Sequence, residues 1–146
     1  MGRDRIFIDS SVLIAAVLSQ GGGSFYLLNK LRDTFEFQIN EYVFEEVTEV
    51  FNKKFADRED LKSRLFLILG WSKIKILPNP PKERVESIAK LVNKEDAPIL
   101  ATALHHSAYL ITLDNDFLSE AVVAFAGKEN LIISKPKEFI ESVRVK

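Results

Sequence analysis

Apolar and polar positions follow two rhythms along this chain, and the rhythm changes at short polar breaks. "RIFID" is a brief apolar run of the kind that makes a buried strand, and "SSVLIAAVLS" reads as a helix with Ser10 or Ser11 at its N-cap. "QGGG" at 20–23 interrupts that helix, and "SFYLLNKLRD" restarts one behind Ser24 as cap. "FEFQI" alternates, with Phe35, Phe37 and Ile39 on one face of a strand. Asn40 then caps a helix over 41–55 with an apolar stripe of Val43, Val47, Val50 and Phe51. Further on, "REDLKSRLFLILGW" reads as a helix closed near Gly70, "KIKIL" as a strand stopped by "PNPP", and "KERVESIAKLV" as a helix. "DAPILATALHHSA" is a helix apolar on most faces with Pro98 in its first turn, and "YLITL" is a strand. "NDFLSEAVVAFA" is a helix ended by Gly127, "LIIS" a strand and "PKEFIESV" a last helix. Strands alternating with helices predict an α/β fold, a mainly parallel sheet covered on both faces.

Within this pattern, acidic residues stand where strands hand over to helices. Asp9 follows the first strand, Asp114 and Asp116 follow "YLIT", and Asp96 opens the helix that feeds that strand. In an open parallel sheet, ligands gather outside the carboxyl ends of the strands, so these acids share one edge. The helix over 41–55 adds a further choice. With Val43 at zero and about 100° per residue, Val47, Val50 and Phe51 fall near 40°, 340° and 80°. Glu45 and Glu49 fall near 200° and 240°, away from the stripe, while Glu46 falls near 300°, on its border. Of the three, only Glu46 is placed to reach a site at the edge of the core.

For any one of Asp9, Asp96 or Asp114, helix capping is the ordinary alternative, since an Asp oxygen at a helix start accepts orphan N–H groups. Glu46 taken alone reads as a solvated helix-face charge. Together they say something else. Several unpaired carboxylates converging on one edge repel each other and resist ionisation, so such a cluster calls for a cation. Ligation by oxygen alone suits Mg²⁺ or Mn²⁺. Composition supports that choice: there is no cysteine, which excludes disulfides and thiolate zinc sites, and the two histidines are the adjacent pair His105-His106. That pair reads as a helix-end feature favouring the C-terminal dipole.

A metal held by acids at a sheet edge binds phosphate oxygens and activates water, which points to phosphodiester hydrolysis. The chain has 146 residues and a formal net charge of -1, so it fits one domain over 1–146 and carries no global basic field for nucleic acid. A polyanion would have to be guided by local cations, and Lys53, Lys54, Arg58, Lys62 and Arg64 are the candidates by composition, against the alternative of an ordinary solvated surface. Trp71, Phe44 and Phe55 read as core or dimer contacts rather than base-stacking platforms. No apolar run reaches the roughly 18–20 residues of a membrane span and no signal-peptide layout is seen, so a cytoplasmic protein is expected.

The motifs resemble those of the PIN domain family, especially the toxin-like ribonucleases of prokaryotic toxin–antitoxin systems. "FIDSSVLIAAVLSQGGG" is similar to the family's opening motif, and "INEYVFEEVTEVF" to its second, with Asn40 as polar cap and Glu46 as acid. "EDAPILATALHHSAYLITLDNDF" is similar to the third and fourth, with Asp96, then Asp114, and Asp116 as an additional or substitute ligand. The four motifs in order make a likeness running from about residue 5 to 143. It implies a three-layer α/β/α fold with a five-stranded sheet and cleavage of RNA by one or two Mg²⁺ or Mn²⁺ ions held by Asp9, Glu46, Asp96 and Asp114. It also implies that Ser11 orients Asp9 and that Thr112 is the threonine before the fourth acid. A homodimer and a silencing antitoxin partner are expected too. The double acid Glu95-Asp96 leaves the third ligand open, with Asp96 favoured because it directly precedes the helix.

Rival readings are weaker. A phosphoacceptor receiver domain would want an acidic pair before its first helix, and a haloacid-dehalogenase-type phosphatase would want Asp-x-Asp where Asp9-Ser10-Ser11 stands. A catalytically silent binding module and a housekeeping RNA-processing nuclease are the alternatives within the same likeness.

Overall fold

The computed structural model describes residues 2–144. Among them are five strands and eight helices, in the order β1 (Arg5–Ile8), α1 (Ser10–Leu18), α2 (Gly23–Lys30), β2 (Glu36–Asn40), α3 (Glu41–Lys53), α4 (Glu59–Trp71), β3 (Lys75–Leu77), α5 (Lys82–Ile88), α6 (Ala97–His106), β4 (Tyr109–Ile111), α7 (Glu120–Lys128), β5 (Ile132–Ser134) and α8 (Pro136–Arg144). The strands form one sheet in the order β3-β2-β1-β4-β5. Every pairing is parallel, with Phe7 opposite Gln38 on one side and Leu110 on the other.

This order decides where a site can form. The chain builds outward from β1 through β2 to β3, then returns to lay β4 against the free side of β1. The reversal opens a crevice between the carboxyl ends of β1 and β4, the place where α/β sheets accept ligands. Asp9 leaves β1 on one side of that crevice, and Thr112 to Asp116 leave β4 on the other.

The sheet is covered on both faces. Successive strand residues point to opposite faces, yet Ile6, Phe7 and Ile8 are all fully buried. β2 is buried on both faces too, beyond the single face that its alternation suggests. Its Gln38 is only 2% exposed. Burial costs little there because the amide donates to Glu36 Oε2 at 2.8 Å and accepts from Ser107 Oγ at 2.9 Å.

Several boundaries differ from the sequence reading, each for a local reason. Asp9, rather than Ser10 or Ser11, caps α1, accepting the Ser10 N–H at 2.8 Å. α2 starts from Gly22 without a side-chain cap, leaving Ser24 inside its first turn. Gly70 and Gly127 lie within α4 and α7, and the left-handed residues after these helices are Lys73 (φ 57) and Asn130 (φ 65). α7 begins at Glu120 behind the Ser119 cap, because Asp114 to Asp116 are occupied in a turn of their own.

Candidate metal centre

Asp9 is held from three sides. Its Oδ1 takes the Ser10 N–H, and its Oδ2 accepts from Ser11 Oγ and from Thr112 Oγ1, each at 2.7 Å. Each hydroxyl also fastens the β4 lip of the crevice. Thr112 Oγ1 accepts the Asp114 N–H at 2.9 Å, and Ser11 Oγ accepts the Leu113 N–H at 3.1 Å. The residue is 4% exposed. Burial raises its pKa, outweighing the bonds from Thr112, Ser11 and Ser10, and the nearby Asp114 adds to the rise.

Asp96 opens α6 but does not cap it. Its backbone is helical (φ -87, ψ -20), and its side chain makes no capping bond. The turn is closed from the other direction, by Asn93 Oδ1 accepting the Asp96 N–H at 2.9 Å. The carboxylate is 8% exposed, and its Oδ2 is buried without a hydrogen-bond partner. Burial, then the charges of Asp114 and Asp9, lift its pKa to about 7; Asn93 opposes the rise and Asp116 adds to it.

One carboxylate oxygen from each of Asp96, Asp114 and Asp116 lies within 4.8 Å of the other two. Asp116 is set against Asp114 by a short turn in which its N–H donates to Asp114 Oδ1 at 2.9 Å, while Asn93 Nδ2 donates to Asp116 Oδ2 at 3.3 Å. Asp9 and Glu46 stand outside this trio but within its field.

Glu46 arrives from the far side on α3. Asn40 fixes the start of that helix by accepting the Val43 N–H at 2.9 Å, and it donates to Thr102 Oγ1 at 2.8 Å and to the Pro98 carbonyl at 3.2 Å. α3 is thereby tied to α6, which carries Asp96 at its head. As the helical wheel requires, Glu45 and Glu49 are exposed and Glu46 is half-buried. Ser10 Oγ donates to Glu46 Oε1, joining the second acid to the first. Burial raises the Glu46 pKa against that bond, with Asp9, Glu95 and Asp114 adding to it. Between the two acids left open in sequence, Asp96 is the buried one and Glu95 is exposed.

The PIN domain family model matches residues 6–122. The chain belongs to the PIN domain family. No curated protein matches it. Among solved structures, VapBC2 from Rickettsia felis, bound to a DNA fragment from its promoter, is 18% identical, with a TM-score of 0.67 over 90% of this chain and 98% of that one. PAE2754 from Pyrobaculum aerophilum is 19% identical, with a TM-score of 0.67 over 98% of this chain and 91% of that one. These neighbours share the fold. The all-parallel five-stranded sheet between helices is the architecture that the motifs implied.

The donor set of this PIN domain fits a hard divalent cation. It is all oxygen, and it includes a buried Asp96 oxygen that nothing in the protein satisfies. Two participants escaped the sequence reading. Ser10 stands where the sequence offers a cap and instead holds Glu46. Asn93 holds both Asp96 and Asp116, and the signal for it was an Asn three residues ahead of an Asp, a local turn pattern. Tyr42 also lies in the same field, its phenol pKa raised by burial and then by Glu46, Glu95 and Asp96.

The expected phosphate-guiding cations are mostly engaged elsewhere. Lys53 pairs with Glu49, Arg58 with Asp60 and Lys62 with Glu59, and Arg64 donates to the Val17 carbonyl. Lys54 makes no such bond among the described residues. His105 and His106 close α6, and the His106 pKa is lowered by burial, then by His105 and nearby cations, so it is no help to the helix dipole at neutral pH. Trp71 packs on Phe25 with Arg32 over its ring, Phe44 meets Phe66, and Phe55 packs on the buried Phe51.

Proposed function

We propose that this PIN domain is a metal-dependent endoribonuclease, the toxin of a toxin–antitoxin pair. The observation that carries the reading is the buried, unpartnered Asp96 Oδ2 set among the carboxylates of Asp114 and Asp116. A protein that gained nothing from a cation there would keep a desolvated and mutually repelling group at a cost. Asp9, Glu46, Asp96 and Asp114 would hold one or two Mg²⁺ or Mn²⁺ ions, directly or through water, with Asp116 as a further ligand. Such an ion supplies an activated water and neutralises charge developing on the phosphodiester.

The protein's own groups prepare the site. Thr112 and Ser11 saturate one oxygen of Asp9 and fix its orientation, and Ser10 does the same for Glu46. With its pKa raised to about 7, the Asp96 carboxyl exchanges its proton near neutrality, and its ionised form would be the one to hold the cation. The likeness to VapBC2 supports an antitoxin as partner, and a homodimer in the cytoplasm goes with that reading. Residues 1–146 act as one unit, since β5 and α8, beyond the matched 6–122, complete the sheet and its cover.

The test is cleavage of a labelled mixed-sequence RNA with Mn²⁺, Mg²⁺ or EDTA, for the wild type and for Asp9→Asn and Asp96→Asn. Metal-dependent cutting that both variants lose is expected. Wild-type cutting by either variant overturns the site, and absence of both cutting and metal binding overturns the function.

A further inference from the structure

The acid centre is rich in acceptors and short of donors. Its hydroxyls are spent on its own carboxylates: Ser10 donates to Glu46, and Ser11 and Thr112 donate to Asp9. Asn93 Nδ2 is turned to Asp116. A phosphodiester brings further negative oxygens, which call for donors as well as a cation. Lys54 is uncommitted among the described residues, but it stands eight residues beyond Glu46, about 12 Å along the axis of α3.

Tyr42 supplies the missing donor. It precedes Glu46 by four residues, so the two share one face of α3, about 40° apart and about 6 Å along the axis. Both line a hollow of about 370 Å³ that continues along α3 to Lys53 and Lys54. The phenol lies in the field of Glu46, Glu95 and Asp96, whose charges add to burial in raising its pKa, so it keeps its proton at neutral pH. Yet its hydroxyl bonds to none of these acids and makes no hydrogen bond among the described residues, where only the backbone N–H of Tyr42 is engaged. An O–H group set among carboxylates and joined to none is open to an acceptor that arrives between them.

The position of Tyr42 is fixed from its backbone rather than its ring. "PNPP", which ends β3, folds back onto the head of α3: Asn79 Oδ1 accepts the Tyr42 N–H at 2.8 Å, and Glu41 Oε1 accepts the Asn79 N–H at 3.1 Å. Asn40 closes the same turn by accepting the Val43 N–H at 2.9 Å. The side chain is thus carried on a rigid base while remaining partly exposed. A donor prepared in this way stabilises charge without reorganising when the charge develops.

We propose that Tyr42 is a catalytic residue of the nuclease, its phenol donating a hydrogen bond to a non-bridging oxygen of the phosphate being cut. The proposal rests on the nuclease reading. The proton stays on Tyr42 throughout, and no bond to it forms or breaks. A neutral donor suits this place, because a lysine beside Glu46 and Asp96 would pair with them and be lost to the substrate, as Lys53 is to Glu49.

Tyr42→Phe removes only the hydroxyl. Since that hydroxyl bonds to nothing in the protein, Tm and calorimetric Mn²⁺ affinity should be unchanged, while kcat falls about ten- to a hundredfold with little change in KM. RNA with sulfur in place of either non-bridging oxygen at the mapped cut site identifies the contact. With Mn²⁺, one of the two diastereomers should slow the wild type, and Tyr42→Phe should show that slowing about tenfold less. Equal sulfur effects in the two proteins overturn the proposal, as does a wild-type kcat in Tyr42→Phe. A fall in Tm or Mn²⁺ affinity that matches the loss of rate overturns it too, by giving Tyr42 a structural role. A binding arm separates this contact from the chemistry. In the chain labelled with 3-fluorotyrosine, the Tyr42 fluorine resonance is the one absent from Tyr42→Phe, and RNA is added with Ca²⁺ so that it is held uncut. Movement of that resonance is expected. If the wild type cuts no RNA, such movement upholds the contact and removes the nuclease reading, whereas a resonance that stays still on bound RNA overturns the proposal.

Discussion

Asp9 and Asp96 hold the same formal position, the residue before a helix, and the structure treats them in opposite ways. Asp9 is saturated: it caps α1 and takes hydroxyls from Ser11 and Thr112. Asp96 is nearly as buried, but Asn93 has closed its turn, and one of its oxygens is left with nothing. A saturated carboxylate is a fixed strut, whereas an unsaturated one is a vacancy in the bonding of the protein. Capping is therefore a true account of Asp9 and a false one of Asp96. The two residues together make a rigid half and a receptive half of one centre.

Substituting each acid tests that contrast most severely. Both Asp9→Asn and Asp96→Asn should reduce cleavage by roughly a hundredfold or more, since several kcal/mol of charge stabilisation are lost. Stability should separate them. In metal-free protein Asp96→Asn is expected to raise Tm, because a repelled and unpartnered charge is gone. Asp9→Ala should lower stability by about 1–3 kcal/mol, since it removes a cap and strands two hydroxyls. Thermal unfolding in EDTA reads both, and a shift of the same sign in the two variants would break the distinction.

Protonation sharpens it further. The folded pKa of Asp96, about 7, lies above its ordinary value of 3.8, and those of Asp9 and Glu46 are raised as well. The folded state thus holds protons that the unfolded state releases. That stability is fully present below about pH 4 and is lost as pH rises through about 7. Metal-free protein should accordingly show a falling Tm from pH 4.5 to 7.5, and Asp96→Asn should make the slope shallower. Mg²⁺ should reverse the trend near neutrality, where it displaces the protons. A Tm rising with pH in EDTA would contradict the repulsion.

The two halves were not equally legible in sequence. Glu46 could be chosen from three glutamates because the helical period alone separates it from Glu45 and Glu49, and the parallel sheet followed from the alternation of elements. The placement of Asp9 beside Asp114 needed only the rule that strand ends share an edge. What could not be read was which acid would be saturated. That depends on Thr112 reaching Asp9 across 103 positions and on Asn93 taking the turn from Asp96. Gln38 went unread for the same reason, its partner Ser107 being 69 residues away. The start of α7 moved because Asp114 bonds the Asp116 N–H, a local competition that apolar periodicity does not register.

A smaller effect should follow from loosening the strut without removing the acid. Thr112→Val keeps shape and burial but deletes both the bond to Asp9 and the acceptor for the Asp114 N–H. Groups that orient ligands of this kind typically contribute 10–100-fold to metal affinity or activity. Thr112→Val is expected in that range and Thr112→Ser close to wild type, by calorimetric Mn²⁺ binding and cleavage rate. Rescue by serine is the informative part, because a purely packing role would favour valine.

Ser11→Ala should give the weakest response. Its hydroxyl makes the same pair of contacts as Thr112, one to Asp9 Oδ2 and one to a backbone N–H on the β4 side. Ser11 is only partly buried, however, so water can replace the hydroxyl at both ends. The net loss should then be near the ordinary value of one hydrogen bond, about 1 kcal/mol, or a few-fold in Mn²⁺ affinity. The variant asks whether the rigidity of Asp9 comes from the number of its bonds or from their burial. If Ser11→Ala costs as much as Thr112→Val, number decides. If it costs several-fold less, the dry bond from Thr112 fixes the saturated half of the centre, and Ser11 merely supports it.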